Sequence, residues 1–531
     1  MTQSAGKTII ELKRFLQTTF ELTLKEAQNP QGKLNHLSLD SRKIKANDVF
    51  IALQGEQTHG LKYLAQVLAS KPAVIITDRA LTDIERSTVD AFEAEAGMTI
   101  CVWVILNIKN SLGILGDWFY NSPSSQIKVV GITGTNGKTS SAFYTAQLLE
   151  LQDQKVALMG TLGNGAINAL QATQNTTPDA IQVHRLLSEF LEQGFQWVVM
   201  EVSSHALCLG RVQAVKFNTV AMTQVTRDHI DFHGTVEAYR QAKMRLFTEY
   251  QADNRIVNLA DATGKNIVAE LENSQSASTL FTYSAEKRQV DNQITADLQL
   301  ERLDLSQAGF SGQLSITKSQ YNFKANLMGA FNLENLFCAL AILHQNQFNL
   351  GALLNELEQL KSVPGRMQVV HQKPTVIVDF AHTPDALEQV LQAVKAHGQV
   401  FEVVNNNQQK SKLCVVFGCG GDRDKGKRPL MAAIAEKYAD NLIVTSDNPR
   451  TENPMQIIEE ICVGLSNQLS SQARVQVEEK REKAIAMALT QAKAGDIVVI
   501  AGKGHEDYQE IDGVKYPFSD IKVIQQFYAA T

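Results

Sequence analysis

A glycine-rich loop with a lysine and neighbouring hydroxyls is the clearest chemical feature of the sequence. It reads GITGTNGKTS at 131–140, and it lies between an apolar run at 127–132 and a helical pattern at 139–151. In such loops the backbone amides surround phosphate oxygens, the lysine reaches the terminal phosphates, and a hydroxyl holds Mg²⁺. Five residues, not the standard four, separate Gly131 from Gly137, so a glycine-rich turn with an incidental lysine is the alternative. The flanking strand and helix favour nucleotide binding, and the loop alone does not distinguish ATP from GTP.

Carboxylates and histidines downstream could bind a metal ion. The apolar run at 197–202 contains Glu201 near its end, and a carboxylate at the carboxyl end of a parallel strand points into the ligand crevice, where its oxygens suit Mg²⁺. A solvated strand end is the alternative. The segment TRDHIDFHG at 226–234 fits metal binding or acid–base chemistry, and it fits an ordinary polar turn equally well. Lys243 has, by itself, the pattern of a lysine on an amphipathic helix.

Three charged loops in the last third of the chain each follow an apolar run. They read GCGGDRDKGKRP at 418–429, SDNPR at 446–450 and GKGHE at 502–506. Because the carboxyl ends of parallel strands meet at one edge of a sheet, we expect the three loops to converge on one crevice. Taken singly, each loop could be a solvated turn.

The elements that position these residues indicate an α/β fold with three domains. Residues 1–126 predict a small α/β domain. Residues 127–363 predict a doubly wound, mostly parallel sheet that carries the phosphate loop and an antiparallel addition at 276–326. Residues 364–531 predict a Rossmann-like α/β domain with buried strands at 375–379, 413–417, 441–445 and 497–501. The charged run at 478–483 is typical of a solvated helix face.

Composition narrows the class of protein. At 531 residues the chain is too long for one ordinary core, and 44% hydrophobic with 20% charged residues is typical of a globular protein. A net charge of −6 argues against a general nucleic-acid or anionic-membrane binder. No apolar stretch reaches the roughly 18 residues of a membrane span, and the six cysteines lack metal-ligand spacing. We therefore expect a cytoplasmic protein with no nucleic-acid or membrane partner.

Together, the motifs resemble those of the Mur ligase family over nearly the whole chain. Besides the phosphate loop and the charged loops, the resemblance rests on short motifs in fixed order, which are LDSR at 39–42, NTTP at 175–178, EVSSHAL at 201–207, GAFNLEN at 329–335, PGR at 364–366 and DFAHTP at 379–384. It implies an ATP-dependent ligase that phosphorylates the D-glutamyl carboxylate of UDP-N-acetylmuramoyl-L-alanyl-D-glutamate. The amine of meso-diaminopimelate would then attack the acyl phosphate. ATP and Mg²⁺ would be required, the partners would be small molecules, and we expect a monomer.

The resemblance also implies roles for individual residues. The catalytic set would be Lys138, Glu201, His229 and Lys243, and the metal ligands would be Thr139, Glu201, His229 and Lys243, the last as a carbamate. ATP would be bound by Gly134, Thr135, Asn136, Gly137, Lys138, Thr139, Ser140, Asn332, Asn335, Arg366 and Asp379. The UDP-linked substrate would be bound by Leu39, Ser41, Glu56, Gln57, Thr58, Asn175, Thr176, Thr177, Ser203 and Arg211. The amino acid would be bound by Arg423, Asp447, Asn448, Pro449, Arg450, Gly502 and Glu506.

The choice of amino acid has a physical basis in Arg450. Diaminopimelate is lysine with one more carboxylate, and a guanidinium offers that carboxylate a planar pair of donors. An unpaired guanidinium would penalise lysine by a few kcal/mol, or roughly a hundredfold. Two alternatives are a folylpolyglutamate synthase, disfavoured by the LDSR and DNPR motifs, and a catalytically idle nucleotide-binding scaffold, disfavoured by the retained Lys138 and Glu201.

Overall fold

The computed structural model shows a chain that forms two compact units. It describes residues 6–20, 32–55, 58–173, 175–226, 228–273, 279–287, 295–306, 309–317, 319–404, 411–466 and 474–530. The first unit comprises residues 1–142 and 149–281, and the second comprises residues 143–148 and 282–531.

The first unit begins with a small parallel sheet in the order β1-β2-β3-β4. Its strands are β1 (Leu37–Ser38), β2 (Val49–Ala52), β3 (Val74–Thr77) and β4 (Cys101–Val104), and its helices are α1 (Ile9–Phe20), α2 (Leu64–Ala69), α3 (Asp83–Ala96) and α4 (Leu112–Phe119). Short apolar runs, buried along β2 and β3, form the strands because both faces of the sheet are covered. The α/β character predicted for this part of the chain is present.

A second sheet of the same unit carries the phosphate loop, and its strands follow the order β10-β9-β5-β8-β6-β7. The strands are β5 (Lys128–Thr133), β6 (Val156–Gly160), β7 (Gly163–Ala166), β8 (Trp197–Glu201), β9 (Phe217–Met222) and β10 (Ala252–Asn258). The helices are α5 (Lys138–Leu151), of which residues 143–148 belong to the second unit, α6 (Ala180–Glu192), α7 (Ser204–Cys208), α8 (Ile230–His233), α9 (Val236–Thr248) and α10 (Ala262–Glu272). All pairs are parallel except β6 with β7. The doubly wound prediction is confirmed.

The chain passes from the first unit to the second within β11 (Thr279–Lys287), and β12 (Leu298–Ser306), β13 (Gly309–Ile316) and β14 (Ser319–Ala325) follow. The antiparallel prediction holds for β12, β13 and β14, but β11 pairs with β12 in parallel. Alternation of apolar and polar residues reports a half-buried strand and carries no information about its direction, which explains the error. The helices α11 (Ala330–Gln345) and α12 (Leu350–Glu356) follow.

The last sheet of the second unit has the order β15-β16-β20-β17-β18-β19. Its strands are β15 (Gln368–Gln372), β16 (Thr375–Asp379), β17 (Leu413–Phe417), β18 (Asn441–Val444), β19 (Arg474–Val477) and β20 (Ile497–Ala501). They are parallel except for β15. Apolar cores cover both faces, packed by α13 (Pro384–Val404), α14 (Lys427–Tyr438), α15 (Pro454–Cys462), α16 (Arg481–Gln491) and α17 (Asp520–Ala530). A hairpin of β21 (Tyr508–Ile511) and β22 (Val514–Pro517) lies between β20 and α17 in the chain.

Two details of this sheet differ from the sequence-based expectation. Strand β19 was not predicted. It is half-exposed, so its sequence lacks the continuous apolar run that identified the strands before and after it in the chain. The run at 478–483 is not a wholly solvated face, because Arg481 is buried and both its Nε and Nη2 donate to the carboxylate of Asp520, at 2.7 and 2.8 Å. In the described part of the chain, no helix is long and apolar enough to cross a membrane.

Candidate functional site

The phosphate loop joins the buried strand β5 to the first turn of α5. Gly137 has φ +87°, a left-handed conformation that side chains disfavour and that lets the loop close on itself. The Lys138 ammonium lies over this loop and donates to the carbonyl oxygens of Gly134 and Thr135, at 2.8 and 2.9 Å. A curled backbone, a helix N-terminus and an ammonium group thus converge where a phosphate chain would bind.

Glu201 lies beside this loop at the end of β8 and is buried. Its Oε2 accepts a hydrogen bond from the Thr139 hydroxyl at 2.9 Å and another from the Thr161 hydroxyl at 3.2 Å. Its Oε1 accepts from the Thr161 backbone amide at 2.7 Å. The carboxylate is therefore fixed next to the first turn of α5, and the solvated-strand-end alternative for Glu201 is wrong. Thr139 and Glu201 supply the oxygen donors that Mg²⁺ prefers, so these residues fit that ion.

The same carboxylate is connected to the predicted substrate residues. Thr161 Oγ1 lies 3.1 Å from Thr176 Oγ1, and the Thr177 hydroxyl donates to the Glu201 backbone carbonyl at 2.9 Å. Further on, the Ser203 amide donates to Thr177 Oγ1 at 3.1 Å, and Arg211 Nη1 donates to the Thr177 carbonyl at 2.9 Å. Of the residues predicted to bind the UDP-linked substrate, the structure brings this group together, while Asn175 lies exposed beside it.

Lys243 lies on α9 with its side chain almost wholly inside the protein, at 1% exposure. Its ammonium donates to the Gly134 carbonyl at 2.7 Å and lies 4.6 Å from the centre of the Tyr239 ring. Burial, together with the neighbouring charge of Lys138, holds the pKa of Lys243 well below the ordinary lysine range. The structure thus places a lysine of weakened basicity against the phosphate loop, which the helical pattern alone did not predict.

His229 is placed differently from the other predicted metal ligands. Its side chain is half-exposed, its Nε2 lies 3.4 Å from Asp228 Oδ2, and its ring lies edge-on to the His205 ring at 4.7 Å. Among the residues that the structure describes, no group of three or more His, Cys, Asp or Glu side chains could hold a metal ion. The metal-binding role of His229 stays a prediction.

The second unit contains the remaining residues predicted to bind ATP. Asn332 and Asn335 lie one turn apart on α11, with Asn332 Nδ2 donating to the Met328 carbonyl at 2.7 Å. Asp379, at the end of β16, accepts from the backbone amides of Met367 and Ala381 at 2.6 and 2.7 Å, and burial raises the pKa of this carboxyl. The Arg366 guanidinium lies 4.8 Å from the centre of the Phe380 ring.

Three loops meet at the carboxyl ends of the neighbouring strands β20, β17 and β18, as predicted. The Gly421 amide donates to the Asn448 carbonyl at 2.9 Å, and Asn448 Nδ2 donates to Glu506 Oε2 at 2.9 Å. Asp447, Asn448, Pro449 and Gly502 are buried, whereas Arg423 lies exposed on the first loop. The convergence excludes the alternative of three independent solvated turns.

Arg450 is held in the same cluster of loops. Its Nη1 donates to the Gly421 carbonyl at 2.7 Å, and its Nε lies 3.4 Å from Glu510 Oε2. Its backbone has φ +52°, which is uncommon for a residue with a side chain, and it is pinned to the hairpin because its amide donates to the Glu510 carbonyl at 3.0 Å. The backbone of Arg450 and its contacts with Gly421 and Glu510 therefore fix the position of the guanidinium.

The residues predicted to hold the uridine end lie in the first unit. Leu39 and Ser41 follow β1 and are half-buried, as is Thr58, while Glu56 and Gln57 lie outside the described residues. Asp40 accepts two side-chain hydrogen bonds from Arg42, at 2.9 Å each, so this pair orders the turn.

Sequence reasoning missed four residues of these clusters. Thr161 and Tyr239 lie in no motif, and only the fold reveals that they touch Glu201, the phosphate loop and Lys243. Lys503 lies within the GKGHE motif, and the motif predicted roles for its neighbours Gly502 and Glu506 but none for Lys503. Glu510 lies just beyond that motif and contacts Arg450.

Comparisons with known proteins match both units. The profile described as the Mur ligase middle domain matches residues 132–343, and the one described as the Mur ligase glutamate ligase domain matches residues 365–504. The UDP-N-acetylmuramoyl-L-alanyl-D-glutamate–2,6-diaminopimelate ligase of Coxiella burnetii is 40% identical over 92% of this chain and 94% of its own length. The enzyme of that name from Ectopseudomonas mendocina is 39% identical over 92% of this chain and 93% of its own.

The fold of the chain is also similar to that of a solved structure. The structure titled UDP-N-acetylmuramoyl-L-alanyl-D-glutamate–2,6-diaminopimelate ligase aligns with a TM-score of 0.68 at 35% identity, and it covers 99% of both chains. The similarity therefore extends over the N-terminal sheet, the phosphate-loop sheet and the C-terminal sheet.

Proposed function

The chain belongs to the Mur ligase family, and from this premise we propose that it joins meso-diaminopimelate to UDP-N-acetylmuramoyl-L-alanyl-D-glutamate. It is an ATP-dependent, ADP-forming ligase of peptidoglycan precursor synthesis. The single observation that carries the choice of substrates is the 40% identity to a ligase of that name over 92% of the chain. The folylpolyglutamate synthase and idle-scaffold alternatives do not account for this match.

The first step transfers the terminal phosphoryl group of ATP to the D-glutamyl carboxylate, giving an acyl phosphate and ADP. Negative charge accumulates on the transferred group, so the chain contributes mainly positioning and cationic stabilisation. We assign the phosphate chain to residues 134–140, with the Lys138 ammonium moving from the loop carbonyls to the terminal phosphate. Asn332, Asn335, Arg366 and Asp379 are assigned to the rest of ATP.

In the second step the amine of the amino acid attacks the acyl phosphate carbon, and the tetrahedral adduct collapses to the amide and inorganic phosphate. The amine loses a proton, and the phosphate leaves with the electrons of the broken C–O bond. Thr176, Thr177, Ser203 and Arg211 are proposed to hold the muramoyl dipeptide so that its carboxylate faces the loop, with Asn175 beside them. Leu39, Ser41, Glu56, Gln57 and Thr58 are proposed for the uridine end.

A magnesium ion, when bound, would neutralise phosphate oxygens during transfer. The Thr139 hydroxyl and the Glu201 carboxylate, already 2.9 Å apart, are proposed to hold it, with His229 as a further candidate. Lys243 is proposed to act as a carbamate. A lysine must be neutral to react with carbon dioxide, and burial lowers the pKa of Lys243 in the direction that supplies a neutral amine.

The amino acid is proposed to bind at the three loops of the second unit. Arg450 would pair with the carboxylate that lysine lacks, and Asp447, Asn448 and Glu506 would receive the ammonium end, with Arg423, Pro449 and Gly502 lining the site. We further propose a monomer, working in the cytoplasm where ATP and UDP-linked substrates occur, with domains at 1–126, 127–363 and 364–531.

Phosphate release by the purified full chain tests this function. Turnover should require ATP, the UDP-linked dipeptide, meso-diaminopimelate and Mg²⁺ together, and omission of any one should reduce the rate to background. Phosphate release that does not depend on the UDP-linked dipeptide would count against the proposal.

A further inference from the structure

Lys503 is a fully buried cation at the centre of the amino-acid loops, with 0% of its side chain exposed. It follows β20 in the GKGHE motif. Its ammonium lies 2.9 Å from Asn448 Oδ1, 3.0 Å from Glu506 Oε2 and 3.5 Å from Asp447 Oδ1. We call these four residues the Lys503 cluster.

The contacts account for every donor of the ammonium group. A lysine ammonium has three N–H donors, and the cluster supplies three acceptors, so Lys503 has no donor left for a substrate. Glu506 differs, because 22% of its side chain is exposed and only one of its oxygens contacts the lysine. A ligand can therefore reach Glu506 but cannot reach Lys503.

Lys503 also fixes the orientation of the Asn448 amide. Asn448 Oδ1 accepts from Lys503 Nζ and, at 3.0 Å, from the Glu510 amide, so its Nδ2 must face Glu506. A flipped amide would place an NH₂ group against an ammonium. Two carboxylates and one ammonium leave the cluster with one net negative charge, which complements a single ammonium group of a ligand.

We propose that Lys503 is a positioning residue for the amino-acid substrate. It holds Glu506 and Asn448 in the orientation that receives the substrate ammonium, and it leaves the cluster one unit of negative charge to pair with it. The inference rests on the proposed function and deepens it, since it assigns the ammonium-binding role to the Lys503 cluster as a unit.

The test is Lys503→Met in the full chain, with phosphate release measured while one substrate is varied at a time. Without the Lys503 ammonium, Glu506 and Asn448 lose the donor that orients them, so the KM for meso-diaminopimelate should rise about thirtyfold or more. The KM values for ATP and the UDP-linked dipeptide should stay within about twofold, and kcat at saturating amino acid should change little, as expected when only uniform binding is lost.

Val499→Ala is the matched control. Val499 is buried on β20, the strand that leads into Lys503, so the substitution weakens the same sheet without removing a charge. It should lower the melting temperature while leaving the KM for meso-diaminopimelate unchanged. Lys503→Gln replaces the ammonium by a neutral amide that still has N–H donors, and it tests the proposal if the methionine variant does not fold. This variant should show a smaller rise in the KM for meso-diaminopimelate.

Several results would overturn the role of Lys503. These are an unchanged KM for meso-diaminopimelate in a folded variant, a similar rise in all three KM values, or failure of both variants to fold, which would make Lys503 a structural residue. Wild-type turnover is measured first. If it does not depend on meso-diaminopimelate, the proposed function fails, whereas a normal wild type with unaffected variants counts against Lys503 alone.

Discussion

Replacing the buried Lys243 by methionine should stabilise the protein while lowering its activity by about a hundredfold or more. Lys243→Met keeps the volume of the side chain approximately, shortens it by one heavy atom, and removes an amino group that is 1% exposed and has no carboxylate among its described hydrogen-bond partners. The hydrogen bond to the Gly134 carbonyl is lost, but that oxygen keeps the Lys138 ammonium at 2.8 Å. No buried acceptor is left unsatisfied by the substitution.

Two opposing contributions determine the change in the free energy of unfolding. Losing one hydrogen bond costs about 1 kcal/mol, and replacing a buried charged group by an apolar side chain of similar volume gains about 1–4 kcal/mol. A net gain of about 2 kcal/mol in the free energy of unfolding corresponds to about 4 °C in melting temperature for a unit of this size. Activity should fall by about a hundredfold or more, as on removal of one preorganised electrostatic group.

The pH dependence of the stability difference distinguishes the removal of a buried ionisable group from an improvement in packing. The folded-state pKa of Lys243 lies below its unfolded value, so the unfolded chain binds more protons and the wild type becomes more stable as pH rises toward the ordinary lysine range. The advantage of the methionine variant should therefore shrink between pH 7.5 and pH 10, in the direction that this linkage requires.

The assay is urea unfolding of both proteins in buffer freed of carbon dioxide, so that no carbamate replaces the amine. Arg240→Met, on the exposed side of the same helix with 38% of its side chain accessible, is the control and should show no such pH dependence. A methionine variant less stable than the wild type, or a stability difference that is the same at both pH values, would refute the reasoning.

Three further predictions concern the other groups of the site. Glu201→Gln should lower kcat/KM about a hundredfold in phosphate-release assays with little change in melting temperature, because the amide oxygen can still accept from the Thr161 backbone amide and its NH₂ group can donate to the Thr139 hydroxyl oxygen, while the charge is lost. Arg450→Met should reduce the preference for meso-diaminopimelate over lysine by about a hundredfold, measured as the ratio of kcat/KM values. Asp379→Asn should lower the free energy of unfolding by about 1–3 kcal/mol, measured with urea, because an NH₂ group would face the amide of Met367 or Ala381.

The sequence predicted those features that rest on local pattern. Continuous apolar runs located β16, β17 and β20 at their observed bounds, since strands covered on both faces have this signature. The rule that the carboxyl ends of parallel strands share an edge of the sheet then predicted that Asp447, Asn448 and Glu506 lie close together.

Features that depend on long-range packing could not be predicted. The direction of β11, the burial of Arg481 and the contact of Lys243 with Gly134 are each decided by residues far away in the chain. Thr161 is the clearest case, because its hydroxyl gains a role only when β6 and β8 pair and place it against Glu201.

The proposed choice of substrate is tested most directly by a competition between meso-diaminopimelate and L-lysine at equal concentrations, with ATP and the UDP-linked dipeptide saturating. Mass spectrometry of the UDP-linked tripeptide reports the ratio of the two products. The diaminopimelate product should exceed the lysine product by about a hundredfold. Equal amounts, or an excess of the lysine product, would contradict it.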